Sequence, residues 1–338
     1  MSGGVDSAVA ALLLRDQDYE CAGAVMKLRG NDGAVGEARA AARSLGFPFH
    51  VFDLSGAFQS GVVAPFIGAY RAGRTPNPCV DCNRLLKFGH FVRLAGELGY
   101  PSVATGHYAR VERDGGRLWL KKGLDPSKDQ SYVLYSLTQQ QLARAFFPLG
   151  GLMKSQVLEI AAERGVPAAR KGESQDICFV PDGDYAGFIE RAAGEAFPSG
   201  RFVDANGNTL GEHRGIVRYT VGQRRGLGLA HSEPLYVKEI HPEDNTVVVG
   251  TADTLFSRTL TLQDVNLIAL DRLDATLRAK VKIRYRHAEQ PAVITPLGSA
   301  ALRVDFDEPQ RAVTPGQAAV IYDGDVVVGG GTILETKE

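Results

Sequence analysis

Residues 1–14 read MSGGVDSAVAALLL, and the fold is decided there. Gly3 and Gly4 lack the Cβ atoms that would stop the chain from turning sharply, so successive backbone N–H groups can point at one anion. The helix predicted to begin near Asp6 adds the positive end of its dipole. Such loops follow a buried β-strand, yet nothing precedes Met1 in the sequence. The first strand of a sheet is therefore expected to be missing. A strand's rise of ~3.3 Å per residue makes the expected native product longer by roughly ten residues or more.

Outward from the loop, helical patterns alternate with short β-rich runs. A helix over 6–16 is followed by a strand at 21–27, a helix at 35–46 and a strand at 49–54, then by a helix at 88–99 and a strand at 102–107. This alternation predicts an α/β domain built on a parallel sheet with helices on both faces, and a ligand site at the carboxyl ends of the strands. After about Pro181 the texture changes. One more helical pattern, 185–197, gives way to strands at 235–241, 246–250, 277–285, 291–297, 301–306 and 318–334, with turn signals at 204–209, 242–246 and 322–325. Short, evenly spaced strands predict a small β-barrel or sandwich at the C-terminus.

A chain of 338 residues should hold two or three domains. The net charge of −1 argues against a protein that coats nucleic acid non-specifically, but the segment RAKVKIRYRH at 278–287 supplies a local basic patch. No apolar run reaches the roughly 18 residues of a membrane span, and the N-terminus lacks a signal-peptide pattern, so a cytoplasmic location is expected. Four cysteines, Cys21, Cys79, Cys82 and Cys178, are then free, catalytic or metal-binding in preference to structural disulfides.

The pattern S-G-G-x-D-S over Ser2, Gly3, Gly4, Val5, Asp6 and Ser7 resembles the pyrophosphate loop of the ATP-pyrophosphatase superfamily, whose members cleave ATP to AMP and pyrophosphate. The absence of a G-K-[ST] P-loop disfavours γ-phosphate transfer of the Walker type. Amidating, sulfur-transferring and other ligating enzymes share the motif, so it leaves the substrate open.

Three further stretches narrow the choice. Residues 73–89, GRTPNPCVDCNRLLKFG, set Cys79 and Cys82 in a Pro-rich loop ahead of a helix; ATGHYAR, 104–110, ends a strand; KGESQDICFVPDGDY, 171–185, sets Cys178 among Glu173, Asp176 and Asp182. Together with the loop, KIRYRH at 282–287 and TPGQAAVIYDGD at 314–325, they make the chain resemble, over nearly its whole length, the tRNA-specific 2-thiouridylase family. That family places sulfur on wobble uridine 34 of certain tRNAs. Its members run a hydrophobic strand straight into the loop, so Met1 would be an internal methionine of the full product.

The resemblance implies a catalytic domain over 1–190, a small central tRNA-binding domain over 191–252 and a C-terminal β-barrel over 253–338. It implies ATP, with Mg2+, held by Met1, Ser2, Gly3, Gly4, Val5, Asp6, Ser7, Met26 and Gly106. The O2 of uridine is a poor leaving group, so ATP adenylates it before sulfur displaces AMP. Carried over by motif, Cys178 would hold a persulfide and Cys82 would be its partner, acting as a nucleophile or resolving the persulfide by forming a disulfide. Asn77, Pro78 and Cys79 would face the target base, and His107, Lys128, Asp129, Gln130, Arg284, Tyr285 and Gln317 would meet the tRNA. Arg224 and Arg225 look like a phosphate-contact turn. The implied partners are tRNA, with Lys, Glu and Gln acceptors, and a sulfur-relay protein or cysteine desulfurase; no resident metal is implied.

Cys79 departs from the many members that carry aspartate there, which puts a general-base role at this position in doubt. Cys82 is expected at a helix start, where the dipole, Arg84 and Lys87 would favour its thiolate. Two other readings of Cys79-x-x-Cys82 are half of a zinc site, short of its four ligands, and a redox pair, which should follow a strand and instead follows TPNP. Cys21 reads as a small buried residue. At the level of function, two alternatives stay open. One is an ATP-pyrophosphatase acting on a small molecule, which needs neither the barrel nor paired cysteines; the other is a non-catalytic RNA-binding protein with an inactive loop.

Overall fold

A computed structural model describes residues 1–28, 31–166, 177–298 and 300–337. The N-terminal part is α/β, with helix Val5–Arg15 following the loop directly. Strand Gly23–Lys27 pairs in parallel with Phe49–Asp53, and Val103–Ala104 pairs in parallel with Ala145–Phe146. No ladder among the described residues joins the two pairs. Helix Val5–Arg15 packs through Ala8, Val9 and Leu12 onto Val157 and Ala161 of helix Lys154–Glu163.

Three helical stretches differ from the sequence expectation, one of them helix Lys154–Glu163, which the sequence reading does not include. Residues 55–71, not anticipated as helical, form a run of Ser55–Phe58, a π-helical Gln59–Val63 and Ala64–Arg71. Its buried Phe58, Val62, Phe66 and Tyr70 recur every fourth residue, but Gly56, Gly61, Pro65 and Gly68 mask the pattern. The helix expected at 88–99 starts earlier, as Pro78–Asp81, a π-helical Cys82–His90 and Phe91–Glu97. Pro78 sits where its missing N–H costs nothing, and the Asn77 side chain caps the Cys79 N–H at 3.2 Å.

The C-terminal part is a closed antiparallel barrel of six strands. Around it run Phe256–Leu267, Ala301–Arg311, Gln290–Leu297, Leu277–Lys282, Ala318–Asp323 and Val326–Lys337, and the last pairs again with the first. Leu260, Leu262, Val281, Ile294, Val304, Ile321 and Ile333 fill it. Strand Phe256–Leu267 was not anticipated.

Nor was the hairpin of Ala109–Asp114 and Arg117–Lys122, turned by Gly115 and Gly116 at φ +57° and +81°. It belongs by sequence to the first part, yet Lys121 pairs with Val326 and extends the barrel's sheet. One core therefore runs through both parts, joining Phe88, Val92, Leu120, Tyr132 and Leu134 to Ile268, Val320, Tyr322 and Val327.

Between them lies a four-stranded sheet in the order Thr209–His213, Gly200–Val203, Thr246–Gly250, Tyr236–His241. Its core of Phe202, Val217, Val237 and Val247 takes in Phe66 and Tyr70 from the first part and Ile189 from helix Tyr185–Ala193.

Candidate active site

The loop has the geometry of an anion cradle. Gly3 sits at φ +78°, open to glycine and costly for other residues. Gly4 is extended and caps the helix without a side-chain hydrogen bond to the first turn, which leaves those amides to a ligand. Ser2 and Ser7 close the loop: Ser2 N–H donates to Ser7 Oγ at 3.1 Å, and Ser7 Oγ donates to Gly4 O at 3.0 Å. Asp6 Oδ1 accepts from Lys154 Nζ at 2.6 Å and from Tyr108 OH at 2.8 Å. The α-amino group of Met1 donates to Ala24 O, and burial lowers its pKa to about 6.

Gly106 has a definite steric reason. A Cβ there would lie 2.9 Å from Asp6 Cβ and 3.1 Å from Ser7 N, so the close approach it permits is to the helix start itself. Met26 is the penultimate residue of strand Gly23–Lys27, and its carbonyl accepts from Asn31 Nδ2 at 3.2 Å. Glycine backbone, uncapped amides and two hydroxyls fit the phosphates of ATP.

The thiols form a second cluster. Cys79 and Cys178 are exposed and Cys82 is half-buried; all four cysteines, Cys21 included, are free, so no Cys82–Cys178 disulfide is formed here. The expected activation of Cys82 by a helix start is not found. The helix begins four residues earlier, at Pro78, beyond the one turn over which the dipole acts. Although Cys79 and Cys178 keep part of their surface open to solvent, protein packed around the three thiols desolvates them, which pushes Cys82 and Cys79 up, and Cys178 up to about 11. The thiolates of Cys82 and Cys79 raise Cys178 further, while the Lys87 ammonium pulls all three down. Arg84, also expected to help, is instead paired with Asp81 at 3.1 Å.

Residues 104–108 connect loop and thiols. Gly106 touches Asp6; the next residue, His107, packs on Phe88 of the Cys82 helix and on Phe147. His107 is buried, its Nδ1 lies 2.7 Å from Thr105 Oγ1, and burial together with Lys87 holds its pKa well below the ordinary value. Its ring is thus neutral at physiological pH. Asn83, beside Cys82, donates to Val133 O at 3.0 Å, and its buried Oδ1 has no partner among the described residues.

The barrel braces this region. Gln317 Nε2 donates to Thr75 O at 2.8 Å and Thr75 N–H to Pro315 O at 2.9 Å, which clamps the segment leading to Asn77, Pro78 and Cys79. The Asp129 carboxylate accepts from Gly123 N, Ser131 N and Ser131 Oγ, and Gln130 Oε1 accepts from Tyr108 N at 3.1 Å. Both side chains therefore hold the turn that carries half-buried Lys128. Tyr285 OH donates to Asp129 O at 3.2 Å, Arg284 to Arg311 O at 3.0 Å, and Lys282 lies over the rings of Tyr132 and Tyr285.

Arg224 and Arg225 occupy an exposed turn of the central sheet's module. Glu173 and Asp176 lie outside the described residues; Asp182 accepts from Asp184 N at 3.0 Å. Among the described residues no three His, Cys, Asp or Glu side chains are arranged to hold a metal, and no helix is long and apolar enough to cross a membrane. Lys87 entered the sequence reading only as nearby charge, while Tyr108, Asn83 and Lys154 escaped it. Lys87 is five residues from Cys82, a spacing that a π-helical turn brings toward one face.

Fold and site together define a nucleotide-binding α/β domain with a thiol centre, continued by two β modules. The family model described as a tRNA methyl transferase HUP domain matches residues 1–182, that of a tRNA methyl transferase PRC-barrel domain 186–251, and that of an aminomethyltransferase β-barrel domain 257–333. Relatives named tRNA-specific 2-thiouridylase MnmA are 45% identical in Clostridioides difficile (98% of this chain, 96% of the relative) and 47% in Acetivibrio thermocellus (98% and 97%). A relative named MnmA 1, from Caldanaerobacter subterraneus, is 48% identical (100% and 97%). The chain belongs to the tRNA-specific 2-thiouridylase family.

Proposed function

We propose that this chain is the tRNA-uridine 2-sulfurtransferase that thiolates wobble uridine 34. The observation that carries the reading is the segment 104–108, which sets Gly106 on the phosphate loop and His107 on the helix of Cys82, so nucleotide and thiols serve one substrate.

ATP, with Mg2+, supplies the adenylation that turns uridine O2 into a leaving group. The chain's part is to hold and align. The backbone of residues 1–7 cradles the phosphates; Met26 and Gly106 flank the nucleoside; Asn77, Pro78 and Cys79 meet a base turned out of the anticodon loop, which is single-stranded and costs little to extrude. His107, Lys128, Asp129, Gln130, Arg284, Tyr285 and Gln317 line or brace the tRNA path, with Arg284 and Tyr285 suited to phosphate contact and stacking.

Cys178 carries the incoming sulfur as a persulfide, delivered by a sulfur-relay protein or cysteine desulfurase. Attack of the Cys82 thiolate on Cys178 Sγ breaks the persulfide S–S bond and forms a Cys82–Cys178 disulfide. The outer sulfur departs with the electron pair, either already bonded to C2 or as hydrosulfide. A dithiol reductant then returns two electrons. The acceptors are the Lys, Glu and Gln tRNAs, in the cytoplasm. The domains of this reading span 1–190, 191–252 and 253–338.

The test is ATP-dependent formation of 2-thiouridine in unmodified tRNA with cysteine, a cysteine desulfurase and a dithiol reductant, beside Cys82→Ser and Cys178→Ser. Product from the unmutated chain and none from either variant is expected. A methylated product, or equal activity in the variants, would overturn the reading.

A further inference from the structure

Lys154 is the first residue of helix Lys154–Glu163. Its N–H donates to Asp125 Oδ2 at 3.0 Å, and buried Asp125 is fixed in turn by the N–H and hydroxyl of Ser127. From that anchor the side chain reaches over the Tyr108 ring, Nζ 5.8 Å from its centre, to Asp6 Oδ1 at 2.6 Å. The Tyr108 hydroxyl donates to the same oxygen at 2.8 Å, and no hydrogen bond from the described residues reaches Asp6 Oδ2.

An aspartate in the first turn of a phosphate-binding helix repels the ligand that the helix attracts. A carboxylate in that position is useful only if its charge is answered. The loop has no lysine of the Walker kind, and Lys154 brings an ammonium to the same place from 148 residues away. The pair is only partly buried, so solvent screens its attraction and it adds little to stability, which argues for a role beyond stability.

We propose that Lys154 is a pyrophosphate-binding residue. Its ammonium balances Asp6 and donates to the oxygens of the pyrophosphate as that group leaves ATP, with Tyr108 holding the Asp6 carboxylate in place. The inference rests on the nucleotide chemistry proposed for the loop but needs neither tRNA nor sulfur.

Calorimetric titration of inorganic pyrophosphate and of AMP into the full chain, with magnesium present, tests it. Lys154→Gln keeps a donor for Asp6 and loses the charge; it should weaken pyrophosphate binding about 10–100-fold, as for a lost charge-assisted hydrogen bond, and leave AMP affinity unchanged. Lys154→Arg should bind like the unmutated chain. In an Asp6→Asn background Lys154→Gln should still weaken pyrophosphate binding, because the ammonium acts on the anion and not only through Asp6. No further loss in that background, equal losses for AMP and pyrophosphate, or an unmutated chain that binds no pyrophosphate would each overturn the proposal. A failed thiouridine assay with pyrophosphate binding intact would strike the sulfur chemistry alone.

Discussion

A thiol one turn inside a helix does not feel the helix start as a capping residue does, and its readiness is set by burial and by whichever cation reaches it. For Cys178, crowding and two neighbouring thiolates win over Lys87. The thiolate is the reactive form, so a raised pKa means that reactivity keeps climbing with pH. Alkylation of Cys178 by iodoacetamide, followed by mass spectrometry, should rise about tenfold per pH unit past pH 9 and level only near pH 11. Lys87→Ala should slow alkylation of Cys82 and Cys178 at pH 8, because it removes the charge that lowers both. At Gly106 the constraint is space. Gly106→Ala drives a methyl into the backbone of Asp6 and Ser7, and a loss of about 1–3 kcal/mol is expected in a denaturant melt, with ATP affinity falling as the helix start is displaced.

The helix of Cys82 depends on how it begins. Asn77 caps it, so Asn77→Ala should cost about 1 kcal/mol by chemical denaturation and loosen the segment carrying Cys79. The turn of the phosphate loop was legible in sequence because its two glycines and the serines that close it lie within Ser2 to Ser7. The helix start was not: the proline that reads as a loop signal occupies the first helical position. Helix 55–71 was obscured by its glycines and proline, although Phe58, Val62, Phe66 and Tyr70 already traced its buried face. The partners of Asp6 could not be read at all, since Tyr108 and Lys154 lie 102 and 148 residues away. Nothing local marks them.

Across the whole molecule, the first part and the barrel share a single core and the central sheet takes Phe66 and Tyr70 from a helix of the first part. Independent unfolding would strip apolar surface from both sides of each junction. Calorimetry should therefore show the α/β part and the barrel melting in one transition with equal calorimetric and van't Hoff enthalpies; two resolved transitions would contradict the shared core. The junction's polar ties are equally long in sequence, such as the pair Arg110–Asp325 at 2.7 Å across 215 residues.

The hairpin 109–122 is synthesised long before the strand it pairs with. Residues separated by 215 positions leave a ribosome about 10–40 s apart at ordinary elongation rates. During that interval Leu118 and Leu120, buried in the finished protein, have no barrel to cover them. The nascent chain is then a client for a chaperone, and its yield should depend on how fast the last eighty or so codons are read.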